Sequence, residues 1–316
     1  MMGNFFNRMY YGKAGQGDYR PEDLPANRWA LFREMFRIRW SGIVRANLFH
    51  LLFFIPAILW TLLNLGLLML FVPESAEPDA AQQFQNIDIL FQYLLIMFPC
   101  IAITGPFTAG ITTILRNWAR DQHSFFMSDF WDTVKANWKQ ALAVSSITGL
   151  LPVIVLVCWR FYGGMAVDNL FFMLPQMLVL VIALIWLLAL TIIYPLMITY
   201  DLKLGTLLRN ALVLSIGRLP QSVAIRLASL APLALGIAVA WLFPTWAGYV
   251  MLVLGIFYLT IGFGLNRFIY CSYANALFDK YINPRIEGAP VNQGLRQYTD
   301  EDYEVDPTLP QPKQGK

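Results

Sequence analysis

The stretch from Leu170 to Tyr200 reads LFFMLPQMLVLVIALIWLLALTIIYPLMITY and contains no Asp, Glu, Lys or Arg. A bilayer core ~30 Å thick is crossed by about 20 helical residues, so an uncharged block of this length is typical of a membrane-spanning helix. Two crossings would need ~40 residues and a polar turn between them. We therefore expect a single span whose excess residues project beyond Pro195.

Further blocks of similar composition occur on both sides of this stretch. The chain has 316 residues, of which 57% are hydrophobic and 14% are charged, against roughly 25% charged residues in an average soluble domain. The sequence predicts an all-α, polytopic helical membrane protein: a segment 1–45, a six-helix transmembrane domain 46–270 and a polar, acidic tail 271–316. The other five predicted spans are Ala46–Val72, Ile89–Leu115, Ala141–Phe161, Ala224–Phe243 and Trp246–Tyr270.

Lysine and arginine are distributed very unevenly among the segments between these blocks. Eight occur in residues 1–45, four in 116–139, four in 203–226 and six in 267–316, whereas Arg160 stands alone on the other side. Because basic loops are retained in the cytoplasm, both termini are expected there, in a multi-pass protein of the bacterial cell inner (cytoplasmic) membrane. The acidic segment 73–79, PESAEPD, is then external.

Three stretches on the basic side have the pattern of amphipathic helices. Arg28–Trp40 mixes arginines with apolar residues at helical spacing, which predicts an interfacial helix on the inner leaflet. Ser128–Lys139 starts with a capping residue, and Leu204–Pro220 ends in helix-stopping residues. The first helix either recognises lipid or a partner or simply anchors the chain beside the membrane. The other two either offer a docking face or cover the end of the bundle.

The composition changes after Tyr281, where Pro, Gln and acidic residues become frequent. Such a composition does not bury enough apolar surface to fold by itself. We expect this tail to be disordered, or ordered only on a partner.

Proline and glycine mark two further features. The run Thr104-Gly105-Pro106 should break or strongly bend the second span, because proline removes a backbone donor. Gly248, Gly255 and Gly262 recur every seven residues and predict a helix face that a neighbouring backbone approaches closely. The short link between the last two spans predicts that they form a tight antiparallel hairpin.

Motifs for enzymatic chemistry are missing from the sequence. It has no GxxxxGK[ST], HExxH or GxSxG pattern, two histidines, and three cysteines without CxxC spacing. We therefore expect no catalytic, cofactor-binding or metal-binding residues, and we expect that the protein is not an enzyme. The basic residues form no continuous aromatic-rich patch, so we also expect no nucleic-acid partner.

The sequence contains no charged residue near a predicted membrane midplane, where coupled transporters usually place one. Asn64 and Thr104-Gly105-Pro106 are the polar features that remain there. A substrate site beside the broken helix is one interpretation of this run. A kink whose backbone groups are satisfied by neighbours is the other.

Short motifs throughout residues 1–270 resemble the YesL family of bacterial membrane proteins. They include Met2-Gly3-Asn4-Phe5-Phe6-Asn7, Ile103-Thr104-Gly105-Pro106, Lys135-Ala136-Asn137-Trp138 and Tyr194-Pro195. The twelve residues that carry the resemblance, or that we expect to contact a partner, are Asn47, Pro56, Thr104, Gly105, Pro106, Arg116, Phe130, Asn137, Pro195, Arg209, Asn210 and Pro220.

The resemblance implies association with carbohydrate ABC importers of Gram-positive bacteria, and no catalytic residues come with it. We expect an accessory or regulatory membrane subunit whose partners are membrane lipids and the importer permease subunits. The alternatives are a small-molecule (sugar) transporter that uses the broken second helix, and a lipid-binding membrane scaffold that uses the Arg28–Arg45 helix. The sequence does not distinguish regulation from structural support.

Overall fold

The computed structural model describes residues 24–71, 80–167 and 169–296, and these ranges are built almost entirely from helices. Short 3-10 turns lie at Leu52–Phe54, Leu170–Phe172, Pro244–Trp246 and Asn283–Arg285, and a π-helix at Tyr258–Gly262. The α-helices are α1 (Arg28–Leu51), α2 (Ile55–Phe71), α3 (Ala80–Ala119), α4 (Phe126–Ala166), α5 (Met173–Thr199), α6 (Leu204–Gly217), α7 (Leu219–Leu242), α8 (Ala247–Phe257) and α9 (Phe263–Tyr281).

Six helical stretches in the described part of the chain are long and apolar enough to cross a membrane. Each of them overlaps one predicted block, which confirms an all-α, polytopic membrane fold. The uncharged block Leu170–Tyr200 forms one crossing, as predicted, because α5 runs unbroken to Thr199. The six stretches are Arg28–Leu67, Asp88–Ala119, Phe126–Ala166, Leu170–Thr199, Leu219–Leu242 and Pro244–Arg285.

Two of the predicted amphipathic helices are not separate elements. Arg28–Trp40 forms the first part of α1, which continues directly toward the first span. Its apolar side chains Leu31 and Met35 are buried in a protein core together with Phe268 instead of lying on a lipid surface. Ser128–Lys139 is likewise the beginning of α4. Of the three, Leu204–Pro220 contains a helix of its own, α6, which ends at Gly217 as predicted.

The four basic segments of the chain meet at one end of the bundle, which we call the basic end. Arg28 at the start of α1 contacts Asp279 near the end of α9. The Gln140 side chain donates to the Leu202 carbonyl oxygen over 2.8 Å, which joins α4 to the segment before α6. The Arg120 side chain, which follows α3, donates to the Gln293 side chain after α9 over 2.7 Å and links the two pairs of segments.

The buried core lies mainly in the half of the bundle nearest the basic end. One cluster joins α4, α5, α6 and α9, and a second joins α1, α3, α4 and α9. Toward the opposite end the helices expose large apolar side chains, such as Leu59, Leu174, Leu235 and Val253. A soluble protein rarely exposes so continuous an apolar surface, whereas lipid chains cover it in a bilayer.

The predicted glycine face of the last span is only partly used. Within the described residues, a Cβ atom at Gly248 or Gly255 would have no heavy atom within 4 Å, so the predicted close approach of a neighbour is wrong at these two positions. The close contact is made from the other helix of the hairpin, because a Cβ atom at Gly236 would collide with the Leu254 side chain. The predicted hairpin of the last two spans is therefore present as α7 packed on α8.

The helix that contains the last part of the sixth predicted span extends beyond residue 270. Helix α9 continues to Tyr281, and Phe278 belongs to the core because only 1% of its surface is exposed. The expectation of a tail without order fails for residues 283–296, since Arg296 donates its backbone N–H to the Pro25 carbonyl oxygen over 3.1 Å. The motif at residues 2–7, the acidic segment 73–79 and the tail at 297–316 lie outside the described residues.

Candidate functional site

The Thr104-Gly105-Pro106 run lies where α3 crosses α4 most closely. A Cβ atom at Gly105 would overlap the Ala141 carbonyl oxygen and the Ser145 hydroxyl, so glycine permits this crossing. Helix α3 nevertheless continues unbroken from Ala80 to Ala119, and the predicted break is wrong.

The neighbouring helix explains why α3 stays intact at Pro106. A proline at this position leaves the Ala102 carbonyl oxygen without its normal helical donor. The Ser145 hydroxyl on α4 donates to that oxygen over 2.5 Å and replaces the missing donor. The structure thus agrees with the interpretation of a satisfied kink, and it leaves no free backbone group at this carbonyl for a substrate.

Asn47 on α1 binds the irregular part of the last span. Its amide Nδ2 donates to the carbonyl oxygens of Tyr258 and Leu259 over 3.1 and 2.8 Å. Its Oδ1 accepts from the Gly264 N–H over 2.8 Å. Tyr258 and Leu259 belong to the π-helix, whose wider turns shift the normal helical pairing of donors and acceptors. Asn47 is fully buried and satisfies these groups.

A polar network closes the basic end. Arg28 donates to the Asp279 carboxylate and, over 3.0 Å, to the Asn292 side chain. Asn283 donates to the same carboxylate over 2.5 Å and accepts from the Tyr200 hydroxyl over 2.5 Å. Burial raises the pKa of Tyr200 to about 12, so at neutral pH it remains a protonated donor. This network holds residues 283–292 against the end of the helices.

A second contact fixes the segment after α9. Arg120, at the end of the α3 helix, donates to the Gln293 side chain over 2.7 Å. A Cβ atom at Gly294, which has φ +78°, would approach the Arg120 carbonyl oxygen at 2.9 Å. Burial lowers the pKa of the Arg120 guanidinium, while the Asp279 carboxylate acts in the opposite direction.

A groove of about 500 Å³ opens at the basic end between α6 and the end of α9. Arg218 lies at its edge, with the guanidinium 5.1 Å from the centre of the Tyr281 ring. The groove combines apolar walls with cationic and amide groups at the rim, which suits an amphipathic peptide segment. Its lining includes Tyr200, Asn210, Leu214, Arg218, Tyr281 and Arg285.

Helix α6 presents an exposed apolar face beside this groove. Val213 is 62% exposed and Ile216 is 52% exposed, although both lie on a helix whose opposite side is in the core. Arg209 is exposed on the same helix and Pro220 at the start of the next one. We call this face together with the groove the α6 surface, and Arg209, Asn210 and Pro220 of the twelve candidates lie at or beside it.

The structure does not gather the twelve candidate residues in one place. Pro56 is the second residue of α2, which directly follows a 3-10 turn, and the half-buried Asn137 donates to the Thr133 carbonyl oxygen over 3.2 Å. Arg209, Asn210 and Pro220 lie at or beside the α6 surface. The remaining seven are packing or bundle-interior positions, namely Asn47, Thr104, Gly105, Pro106, Arg116, Phe130 and Pro195.

Several residues that organise the basic end were not found by sequence reasoning. Ser145, Tyr200, Asp279 and Asn283 are common residue types with no local motif around them. Their importance depends on partners that are distant in sequence. In the described ranges, no three His, Cys, Asp or Glu side chains gather as a metal ion would require.

Comparison with known proteins finds one family model that matches a segment of the chain. Residues 84–159 match DUF624, described as a protein of unknown function, and YesL family proteins carry this domain. The matched segment is most of α3 and α4, and it includes the crossing at Gly105 and the Ser145 hydrogen bond. Nothing matches this chain among curated proteins or among solved structures.

Proposed function

We propose that this protein is an accessory subunit that binds the permease of a carbohydrate ABC importer through the α6 surface. The observation that carries the proposal is the groove of about 500 Å³ beside an exposed apolar helix face. The partner class comes from the resemblance to YesL proteins, and the match of residues 84–159 to DUF624, a domain that YesL proteins carry, supports that resemblance. The alternative of a sugar transporter has lost its main argument, because the backbone oxygen freed by Pro106 accepts from Ser145.

The chemistry of the α6 surface suits a segment of another membrane protein. Val213 and Ile216 offer apolar contact area, and Arg209 and Arg218 can pair with acidic side chains or helix carboxyl ends. A groove between two helices that meet at an end of the bundle accepts a short helix lying across it.

Copurification tests this proposal. The tagged full-length protein, extracted in mild detergent from native membranes, should recover importer permease subunits. The double variant Val213→Glu, Ile216→Glu should reduce recovery roughly thirtyfold, because the loss of buried interface anchors costs about 2 kcal/mol or more. Met127→Glu is the matched control, since Met127 is 54% exposed on the same end but outside α6.

Two results would contradict the proposal. One is recovery of the protein without any permease subunit from membranes that contain the importer. The other is equal recovery with the α6 double variant and with Met127→Glu. Sugar flux in proteoliposomes that contain this protein alone would instead favour a transporter.

We further propose that the basic end faces the cytoplasm of a bacterial inner membrane. A reporter fused after Lys316, or inserted in the turn at residues 121–124, should report a cytoplasmic location. Reporters inserted at residues 73–79 or after Gly164 should report an external one. The physical reason is the concentration of lysine and arginine at the basic end, since moving even one arginine to the bilayer centre costs ~2.5–3.5 kcal/mol. An external reporter after Lys316 would refute this orientation.

A further inference from the structure

A second cavity, of about 450 Å³, lies between the α1–α2 junction, α7 and α9. One part of its lining is polar and contains Arg226, Ser229, Arg267 and Tyr270. We call it the two-arginine cavity. It is separate from the α6 surface, because the two linings share no residue.

The arginines in this cavity have no acidic partner in the described part of the chain. Arg226 donates to the Tyr270 hydroxyl over 2.9 Å and to the Leu187 carbonyl oxygen, but its buried Nε–H has no hydrogen-bond acceptor. The Arg267 guanidinium lies 5.0 Å from the centre of the Tyr194 ring. Among the residues that the structure describes, no carboxylate oxygen lies within 4.0 Å of either guanidinium.

Two uncompensated cations in an apolar bundle are unfavourable unless an anion accompanies them. The transfer of an arginine to the membrane centre costs several kcal/mol, and a like charge nearby adds to that cost. Arg226 is the eighth residue of α7, which at 1.5 Å per residue lies only ~10 Å from the helix start. This depth corresponds to the headgroup region and the first part of the acyl chains.

The other part of the lining is apolar and open to the outside of the bundle. Leu230, Leu233 and Phe263 line the cavity and are each at least 40% exposed. Because the surrounding helix surfaces are also apolar, this opening faces lipid chains. The cavity therefore offers cationic donors at one side and an apolar path at the other, which fits an amphipathic anion.

We propose that the two-arginine cavity binds the phosphate group of an anionic phospholipid, with an acyl chain against Leu230, Leu233 and Phe263. Arginine binds phosphate oxygens through paired N–H donors and keeps its charge in apolar surroundings. Arg226 and Arg267 both line the cavity, and their guanidinium groups supply such donors. A free phosphate ion has the same charged oxygens as the lipid headgroup but makes no contact with the apolar wall. A phospholipid site should therefore bind phosphatidylglycerol more tightly than inorganic phosphate.

Native mass spectrometry of the purified full-length protein tests the site, with dioleoyl phosphatidylglycerol, dioleoyl phosphatidylcholine and inorganic phosphate as probes. Wild type should bind phosphatidylglycerol more tightly than phosphatidylcholine. Arg267→Gln should weaken phosphatidylglycerol binding about tenfold, because a hydrogen bond to a charged group is lost. Lys135→Gln removes an exposed positive charge from α4, outside the cavity lining, and should change nothing.

Leu233→Trp provides an independent variant that keeps both arginines and fills the apolar part. It should weaken phosphatidylglycerol binding about tenfold or more, because the tryptophan ring would occupy the space that the acyl chain needs and would overlap with it. Size-exclusion chromatography establishes that each variant is folded, and Arg267→Lys should retain most of the binding because it keeps the charge. Loss of phosphatidylglycerol binding in both Arg267→Gln and Leu233→Trp supports the proposal.

Three outcomes would overturn it. Equal binding of phosphatidylglycerol and phosphatidylcholine by wild type would remove the charge selectivity. Equal phosphatidylglycerol binding by Arg267→Gln and Lys135→Gln would place the lipid elsewhere. Inorganic phosphate that binds more tightly than phosphatidylglycerol, and is unaffected by Leu233→Trp, would assign the arginines to a soluble anion.

Discussion

Substitution of Gly105 by alanine is expected to destabilise the protein by about 3 kcal/mol, at the upper end of what overpacking usually costs. The added methyl group would meet the Ala141 carbonyl oxygen and the Ser145 hydroxyl, where glycine now allows α3 and α4 to touch. Backbone atoms cannot rotate away as a flexible side chain can. The two helices must therefore separate along part of their contact.

Separation of these helices would also disturb the hydrogen bond at Ala102. Its carbonyl oxygen lacks a helical donor because of Pro106, and Ser145 reaches it only at the present helix distance. An unsatisfied carbonyl in an apolar region adds about 1–3 kcal/mol to the cost. The two effects act in the same direction.

Thermal unfolding in detergent, followed by intrinsic tryptophan fluorescence, measures this effect. The midpoint for Gly105→Ala should fall by roughly 5–10 °C. Gly255→Ala is the matched control, because a Cβ atom there has open space and alanine favours a helix by about 1 kcal/mol over glycine. Equal midpoints for Gly105→Ala and wild type would show that the crossing is not as close as described.

Replacement of Asn47 by leucine should destabilise the protein by about 3 kcal/mol, because its three hydrogen bonds to the last span are lost. The leucine has a similar volume, so the expected loss comes from polar groups and not from a cavity. The carbonyl oxygens of Tyr258 and Leu259 and the Gly264 N–H would lose their Asn47 partners. Other helices of the described bundle make no hydrogen bonds that replace them.

Asn64→Leu is the control for this substitution. The Asn64 amide donates only to the Trp60 carbonyl oxygen of its own helix in the described structure, over 2.8 Å. Its replacement should change the unfolding midpoint by much less than Asn47→Leu does. Asn47→Asp should be nearly as damaging as Asn47→Leu, because a carboxylate would face two carbonyl oxygens without a proton to donate. A harmless Asn47→Asp substitution would contradict the described role of the amide.

The number and approximate positions of the spans follow from the sequence alone. The transfer of a helix between water and lipid depends on local composition, so blocks such as 170–200 and 224–243 can be recognised without tertiary information. The grouping of basic segments at one end follows as well, because an even number of crossings returns the chain to the same side. The α6 helix was recognised for the same reason, since its stop signals are local.

The candidate site was predictable only in part. Arg209, Asn210 and Pro220 were singled out by resemblance and do lie at or beside the α6 surface. The groove itself was not predictable, because its other wall comes from Tyr281 and Arg285, about seventy residues further along the chain. The composition of the tail predicts that segment 283–296 lacks order. Composition does not reveal that Asn283 donates to the buried carboxylate of Asp279, which holds this segment in place.

Tertiary structure alone decided whether a proline interrupts its helix and whether a glycine lies at a close contact between two helices. Pro106 predicts a break when only its own segment is considered, but α3 remains continuous because Ser145 on α4 supplies a donor. Gly255 looks like a packing position and faces open space, whereas Gly105 is in contact with another backbone. Sequence determines which backbone groups need a partner, and the arrangement of neighbouring helices determines whether a partner is within hydrogen-bonding distance.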